Sequence, residues 1–221
     1  MKFSKLSYFF FFGLFVIIVG CISCQKQLSS HHELWDSLSP DEQRARIVSD
    51  SRTIRRKYAK DCSTFVANVY LKNGFQFFEG ARQRNIRGNG VKLIFDFVKR
   101  DGMVFDNRLP KPGDLVFFSN TYDRNRDRKL NDDLTHIGIV VDIEPKGVVR
   151  FIHVIRDRPI ESVLSLNTPN RPRNADQIIN DYLRRKTFRD APGTPYLSGQ
   201  LFFAFGSLFQ NPQDPVDLTD G

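Results

Sequence analysis

Cysteine is scarce in this sequence: three in 221 residues, at positions 21, 24 and 62. No second pair and no cluster of histidine with cysteine has the spacing of zinc ligands, which argues against a structural zinc module. There are no internal repeats, so solenoid and propeller architectures are out. Long apolar runs are missing except for residues 6–19. That run is short for a membrane-spanning helix, which needs about 20 apolar residues. Acidic residues fall short of basic ones, 25 against 33, for a formal charge of +8.

The apolar run is itself informative. Lys2 and Lys5 precede it, phenylalanine dominates it, and it ends at Gly20-Cys21. A charged region followed by an apolar region and a small residue is the order of an export signal. Ile18-Val19-Gly20-Cys21 resembles the lipobox of bacterial lipoproteins, which implies a signal over residues 1–20 and diacylation of Cys21 as the mature N-terminus. An uncleaved anchor or an ordinary secretory peptide is the alternative. Ile22 is not aspartate, which by the same resemblance implies the outer membrane, and the expectation is a periplasmic, membrane-anchored lipoprotein. Dropping Lys2 and Lys5 lowers the formal charge from +8 to +6, so the mature chain stays basic. Its cationic clusters are Arg82, Arg84 and Arg87; Arg124, Arg126, Arg128 and Lys129; and Arg184-Arg185-Lys186. Such runs read first as solvated faces. Export argues against nucleic acid and leaves anionic wall polymer or lipid headgroups as partners.

Residues 21–38 read as a polar tether, in which His31-His32 is expected to be exposed and inert. One domain of ordinary size, acting as a monomer, is expected over 39–210, followed by a flexible tail at 211–221. Ser39-Pro40-Asp41-Glu42 marks a helix start, with Ser39 as cap, Pro40 at the first helical position and Glu42 completing a capping box. Ile47, Ile54 and Tyr58 continue its pattern, with a break expected at Ser49-Asp50-Ser51. Phe65, Val66, Val69 and Tyr70 recur at helical spacing after Cys62, and Lys72-Asn73-Gly74 supplies a stop. A basic loop over 85–90 leads to another helix carrying Val91, Leu93, Ile94, Phe97 and Val98, ended by Asp101-Gly102. The period then changes. Leu115-Val116-Phe117-Phe118, residues 135–142, residues 148–154 and residues 201–206 read as strands, the middle two joined by a Pro145-Lys146-Gly147 turn. Helices first and consecutive strands afterwards predict an α+β fold with an antiparallel sheet.

Cys62 falls in the first turn of a short helix, where free backbone N–H groups and the helix dipole favour thiolate, the nucleophilic form. The bland alternative is a small buried apolar residue. A Cys24–Cys62 disulfide is a further alternative and would disable that thiol. Two histidines fall on adjacent strands, His136 opening one and His153 near the end of the next, so a hairpin can bring them together. A histidine at a strand end can take a proton from a thiol while a second polar ring fixes its tautomer. Two core histidines that merely hydrogen-bond are the alternative.

Asp61-Cys62-Ser63, then Pro112-Gly113-Asp114-Leu115-Val116-Phe117-Phe118, then His136-Ile137-Gly138-Ile139, then Phe151-Ile152-His153 resembles the NlpC-type cell-wall cysteine peptidases. The resemblance implies a papain-like core with helix and sheet halves in permuted order, N-terminal helices packing on the antiparallel sheet. It implies Cys62 as nucleophile, His136 as general base and later acid, and His153 as the residue that orients it. Asp142 and Asp157 are alternatives to His153 in that place. It further implies peptidoglycan peptides as substrate, a γ-D-glutamyl–diamino-acid bond as the one cleaved, and no required cofactor. The Cys62 N–H would contribute to an oxyanion hole. Thr64 stands where the family usually has glycine, and the glycine pair and pocket aromatics often found upstream are absent, leaving Tyr58 as the aromatic nearby. A lipid acyltransferase of the same superfamily and a non-catalytic wall- or calcium-binding lipoprotein are the competing functions.

Asp123, Asn125 and Asp127 match the first, third and fifth ligands of an EF-hand-type calcium loop, and Leu130 its apolar position. Arg128 replaces the sixth-position glycine and Leu134 the twelfth-position glutamate, with Asp132 or Asp133 as a substitute acid. A structural calcium bracing the loop into His136 is one expectation; a solvated turn whose acids pair with its own arginines is the other.

Overall fold

Helix α1 (Pro40–Thr53) opens the larger of two units into which the chain divides, Pro40–Gly221, the other being Met1–Ser39. The computed structural model describes residue 35 and residues 37–79, 89–188 and 190–209. The expected export signal, Cys21, Cys24, His31-His32, the cluster at Arg82, Arg84 and Arg87, and the tail lie outside the described residues. In the smaller unit the Leu38 N–H closes a turn on the Trp35 carbonyl. No helix among the described residues is long and apolar enough to cross a membrane.

α1 starts with Pro40 at a position where its missing N–H is no loss, and carries Asp41 and Glu42 where the helix dipole favours carboxylates. It runs unbroken through Ser49-Asp50-Ser51, where the sequence predicts a break. The physical reason is local: Ser51 Oγ donates to the Val48 carbonyl at 2.7 Å and Thr53 Oγ1 to the Ser49 carbonyl at 3.0 Å. The hydroxyls are spent on the helix's own backbone instead of capping a new one. Its buried face is Arg44, Ile47 and Ser51. Tyr58 ends a 3₁₀ turn (Arg56–Tyr58) and is half-exposed.

Helix α2 (Cys62–Leu71) buries Phe65, Val66, Val69 and Tyr70, the stripe expected from their spacing. It stops where Asn73 N–H returns to the Tyr70 carbonyl and Gly74 takes φ +86°. Helix α3 (Gly90–Asp101) is capped by Asn89, whose Oδ1 accepts from the Val91 and Lys92 N–H groups at 2.7 and 3.2 Å.

Six strands form one antiparallel sheet in the order β1 (Met103–Phe105), β8 (Phe202–Ser207), β2 (Leu115–Phe118), β3 (His136–Glu144), β4 (Val148–Ile155), β5 (Arg158–Leu164). β6 (Arg173–Asn174) and β7 (Gln177–Ile178) make a separate hairpin, and α4 (Ser198–Leu201) precedes β8. The fold is α+β, helices packed against an antiparallel sheet, as the sequence predicts. One face of the sheet assembles Val116, Phe118, Val140, Val149, Phe151, Leu164 and Phe205 into a core that Leu201 closes. Fully burying each such side chain contributes about 1.5–3 kcal/mol. On the other face Phe117 meets Phe95 of α3 edge-on at 5.1 Å.

The turn Pro112-Gly113-Asp114 is the junction of these layers. Asp114 is buried and takes the Arg44 Nη1 hydrogen bond at 2.6 Å and the Lys111 N–H at 2.8 Å. Arg44 Nη2 also reaches Ser207 Oγ at 3.0 Å and the Phe209 carbonyl at 3.2 Å, tying α1 to the end of β8. Tyr70 OH donates to the Gly113 carbonyl at 2.6 Å, bringing in α2. Gly113 sits at φ +90°, and a Cβ there would stand only 3.0 Å from the Arg44 Cα and Cβ, so glycine is favoured on both counts.

Candidate active site

α2 positions Cys62 and β3 with β4 position the histidines. Asp61 is extended (φ −147°, ψ 174°) and caps α2, its Oδ1 accepting from the Thr64 N–H and from Ser63 Oγ, both at 2.8 Å, and its Oδ2 from Thr64 Oγ1 at 3.0 Å. Thr64, in the place of the family's glycine, therefore adds a hydroxyl to the cap. Burial pushes the Asp61 carboxyl up, but these donors outweigh it and hold the group below the usual carboxylate range. An anion consequently stands next to the thiol.

Cys62 is a free thiol, partly exposed, whose sulfur takes a hydrogen bond from the Ile137 backbone. That places the sulfur one residue along β3 from His136. Burial pushes the thiol up to about 11, and the Asp61 charge adds to the rise against the help of the Ile137 N–H. The sequence expectation of a thiol lowered by its helix N-terminus is thus reversed at rest. Desolvation and the anionic cap together exceed what the first-turn N–H groups supply.

His136 is the first residue of β3 and lies opposite Phe118 of β2. His153 on β4 is opposite Gly138, so the two rings stand diagonally on one face. His136 Nε2 and His153 Nδ1 are 2.7 Å apart, rings edge-on. Gly138 makes this possible: a Cβ there would come within 2.8 Å of the Phe151 ring and 3.4 Å of the His153 Cβ. Burial drives His136 down to about 4, and burial followed by the neighbouring His136 drives His153 well below its ordinary value, so both rings rest neutral. His153 is fully buried and its Nε2 lies 3.1 Å from Ser162 Oγ on β5. His136 Nδ1 has no hydrogen-bond partner among the described residues.

The lead into β3 is clamped from three sides. Asn89 Nδ2 donates to the Leu134 carbonyl at 2.6 Å, Ser119 Oγ accepts the Leu134 N–H at 3.1 Å, and Thr121 bonds Thr135 Oγ1 through both its N–H and its hydroxyl at 2.9 Å. Tyr122 follows, half-exposed, its hydroxyl pushed up by burial and by the nearby Cys62. Of the alternatives to His153, Asp142 is exposed and caps the Ile143 N–H, and Asp157 pairs with Arg56 at the tip of the β4–β5 hairpin. Neither reaches His136.

The acidic loop folds on itself. Asp123 Oδ2 accepts the Arg128 N–H, Asn125 Oδ1 the Asp127 N–H, and Asp127 Oδ1 the Lys129 N–H, at 2.8–3.0 Å. Asp133 is exposed, and the buried acid is Asp132, which accepts the Arg124 N–H at 3.1 Å. No group of three or more His, Cys, Asp or Glu among the described residues is arranged to hold a metal ion.

A helix-borne thiol beside a histidine pair on an antiparallel sheet is the layout of the papain-like thiol hydrolases. The model of the NlpC/P60 family matches residues 51–190, and the chain belongs to that family. Membership brings a cell-wall peptidase type of function in general terms, the family being one of cysteine peptidases. No curated protein and no solved structure matches the chain. Ser162 and Tyr122 are the neighbours of the site that sequence reasoning misses. Ser162 sits on a strand without alternation and Tyr122 in a loop, so neither carries a periodic signal.

Proposed function

We propose that the protein is a cysteine peptidase hydrolysing amide bonds in peptidoglycan peptides, with Cys62 as nucleophile and His136 as base. The observation that carries this is the His136–His153 hydrogen bond: it occupies His136 Nε2 and leaves Nδ1 open beside the strand whose Ile137 backbone holds the Cys62 sulfur. The thiol proton passes to His136 Nδ1 as sulfur bonds to the substrate carbonyl carbon. The resulting oxyanion turns to the Cys62 N–H, since the Asp61 carboxylate draws on the Ser63 and Thr64 N–H groups. Collapse breaks the C–N bond, His136 gives its proton to the leaving amine, and water cleaves the thioester to restore the thiol. Burial opposes either charge alone, so thiolate and imidazolium form together. The bond the family resemblance points to is γ-D-glutamyl–diamino acid. We further propose that a lipid on Cys21 holds the enzyme to the membrane, in the periplasm.

The raised thiol favours a second reading, a non-catalytic wall-binding lipoprotein of the same fold. One experiment separates them. With Cys21 and Cys24 replaced by serine, Cys62 is the sole thiol, and its iodoacetamide labelling is followed against pH with and without His136→Ala. A peptidase labels near neutrality and loses that limb in the variant, which then labels only at alkaline pH. Identical alkaline-only labelling of both chains establishes the binder instead.

A further inference from the structure

Ser162 lies opposite Phe151 on β5, is buried, and has its Oγ 3.1 Å from His153 Nε2. His136, His153 and Ser162 therefore form one line of polar groups, running from the start of β3, where the Ile137 backbone meets the Cys62 sulfur, to the strand at the sheet edge. Two proton arrangements satisfy the two neutral rings. In one, His136 Nε2–H donates to His153 Nδ1 and His153 Nε2–H donates to Ser162 Oγ, which leaves His136 Nδ1 with its lone pair. In the other, the Ser162 hydroxyl donates to His153 Nε2, His153 Nδ1–H donates to His136 Nε2, and His136 Nδ1 carries a proton. Only the first arrangement contains a base for the thiol.

We propose that Ser162 is a positioning residue: by accepting the His153 Nε2–H it makes possible the direction of the line in which His136 Nδ1 is unprotonated. The physical reason is an asymmetry in what burial tolerates. His153 has no exposed surface, so without the hydroxyl its Nε2–H would be a buried donor with no acceptor. Orphaned buried N–H groups are rarer and less tolerated than unpaired acceptors. Removing the hydroxyl therefore moves the proton of His153 to Nδ1, reverses the bond to His136, and puts a proton on His136 Nδ1. The serine acts through two rings without touching substrate. Its kinetic consequence rests on the peptidase reading; its effect on the tautomers does not.

The test is Ser162→Ala in the full chain in detergent, ¹⁵N-labelled at histidine, with the rings assigned from His136→Gln and His153→Gln. Long-range ¹H–¹⁵N spectra show which nitrogen of each ring carries the proton. The expected result is Nε2–H on both rings in the natural chain and Nδ1–H in Ser162→Ala. The variant should also lower kcat roughly tenfold with KM unchanged, as loss of an orienting partner does. Ser162→Thr, which keeps the hydroxyl, should restore the natural pattern, and its isostere Ser162→Val should not, so the Thr/Val pair decides the matter if the alanine chain melts early. Unchanged tautomers in both Ala and Val overturn the proposal. A tautomer reversal in a chain that releases no amine from wall peptides would sustain Ser162's role and sink the peptidase reading instead.

Discussion

Arg44 with Asp114, and Cys62 with His136 and His153, are two buried polar groups bordering the same strand. The first is charged and closed: the guanidinium is shared among Asp114, Ser207 and the Phe209 carbonyl, and the carboxylate also takes a backbone N–H. The second is neutral and open at one end, His136 Nδ1 being left without a partner among the described residues. Burial raises Asp114, and the Arg44 charge opposes the rise. No cation among the described residues offsets the burial of Cys62, and the Asp61 charge beside it is the wrong sign. A buried ion pair is tolerable when every lone pair is met. The group around Cys62 and the two histidines leaves one unmet among the described residues.

The largest effect that would break this comparison is Asp114→Ala. It leaves Arg44 buried and unpaired, and urea unfolding should show a loss of about 3–5 kcal/mol. Removing both partners with Arg44→Met and Asp114→Leu should recover much of it. A single variant within 1 kcal/mol of the natural chain would show the pair to be no closed unit. Next in size is the response to pH. His136 has a folded value lowered from 6.5 to about 4, so its contribution is present above 6.5 and lost as pH falls through about 4. Cys62 runs the opposite way: its folded value is raised from 9.0, so stability is present below 9.0 and lost as pH rises through about 11. Melting curves across pH should lose part of their acid limb in His136→Gln and part of their alkaline limb in Cys62→Ser. Parallel curves would mean that neither group is held neutral by the fold. The smallest effect sharpens the contrast further. Asp61→Asn keeps a good helix cap and removes the anion, so stability should change by less than about 1 kcal/mol. Alkylation of Cys62 should then begin at lower pH; an unmoved onset would clear Asp61 of holding the thiol protonated.

The elements that carry the site were largely legible. Phe65, Val66, Val69 and Tyr70 gave α2 its period, β-branched runs marked β3 and β4, and the places of His136 and His153 within those runs were enough to foresee their meeting. β5 was not legible, because Arg158-Pro159-Ile160-Glu161 mixes a proline with charges and hides the buried half of the strand, Ser162 with it. β1 is three residues long, too short to show alternation. Arg44 sits in a polar helix where nothing distinguishes a buried arginine from a solvated one; only the tertiary partner Asp114 does. The thiol's environment was misjudged for a related reason. A helix N-terminus is visible in sequence, but the burial around it and the fixed orientation of the Asp61 carboxylate are not.

The order of strands has a consequence for how the molecule comes into being. β8, the last strand described, does not add to an edge but inserts between β1 and β2, and the Ser207 and Phe209 groups that Arg44 grips arrive with it. A growing chain thus carries Cys62, His136 and His153 long before β2 has its second neighbour. The first helix of the domain must wait for residues some 160 positions away to satisfy its guanidinium. Such long-range closure makes folding slow and late, and it couples the appearance of an ordered site to completion of the polypeptide.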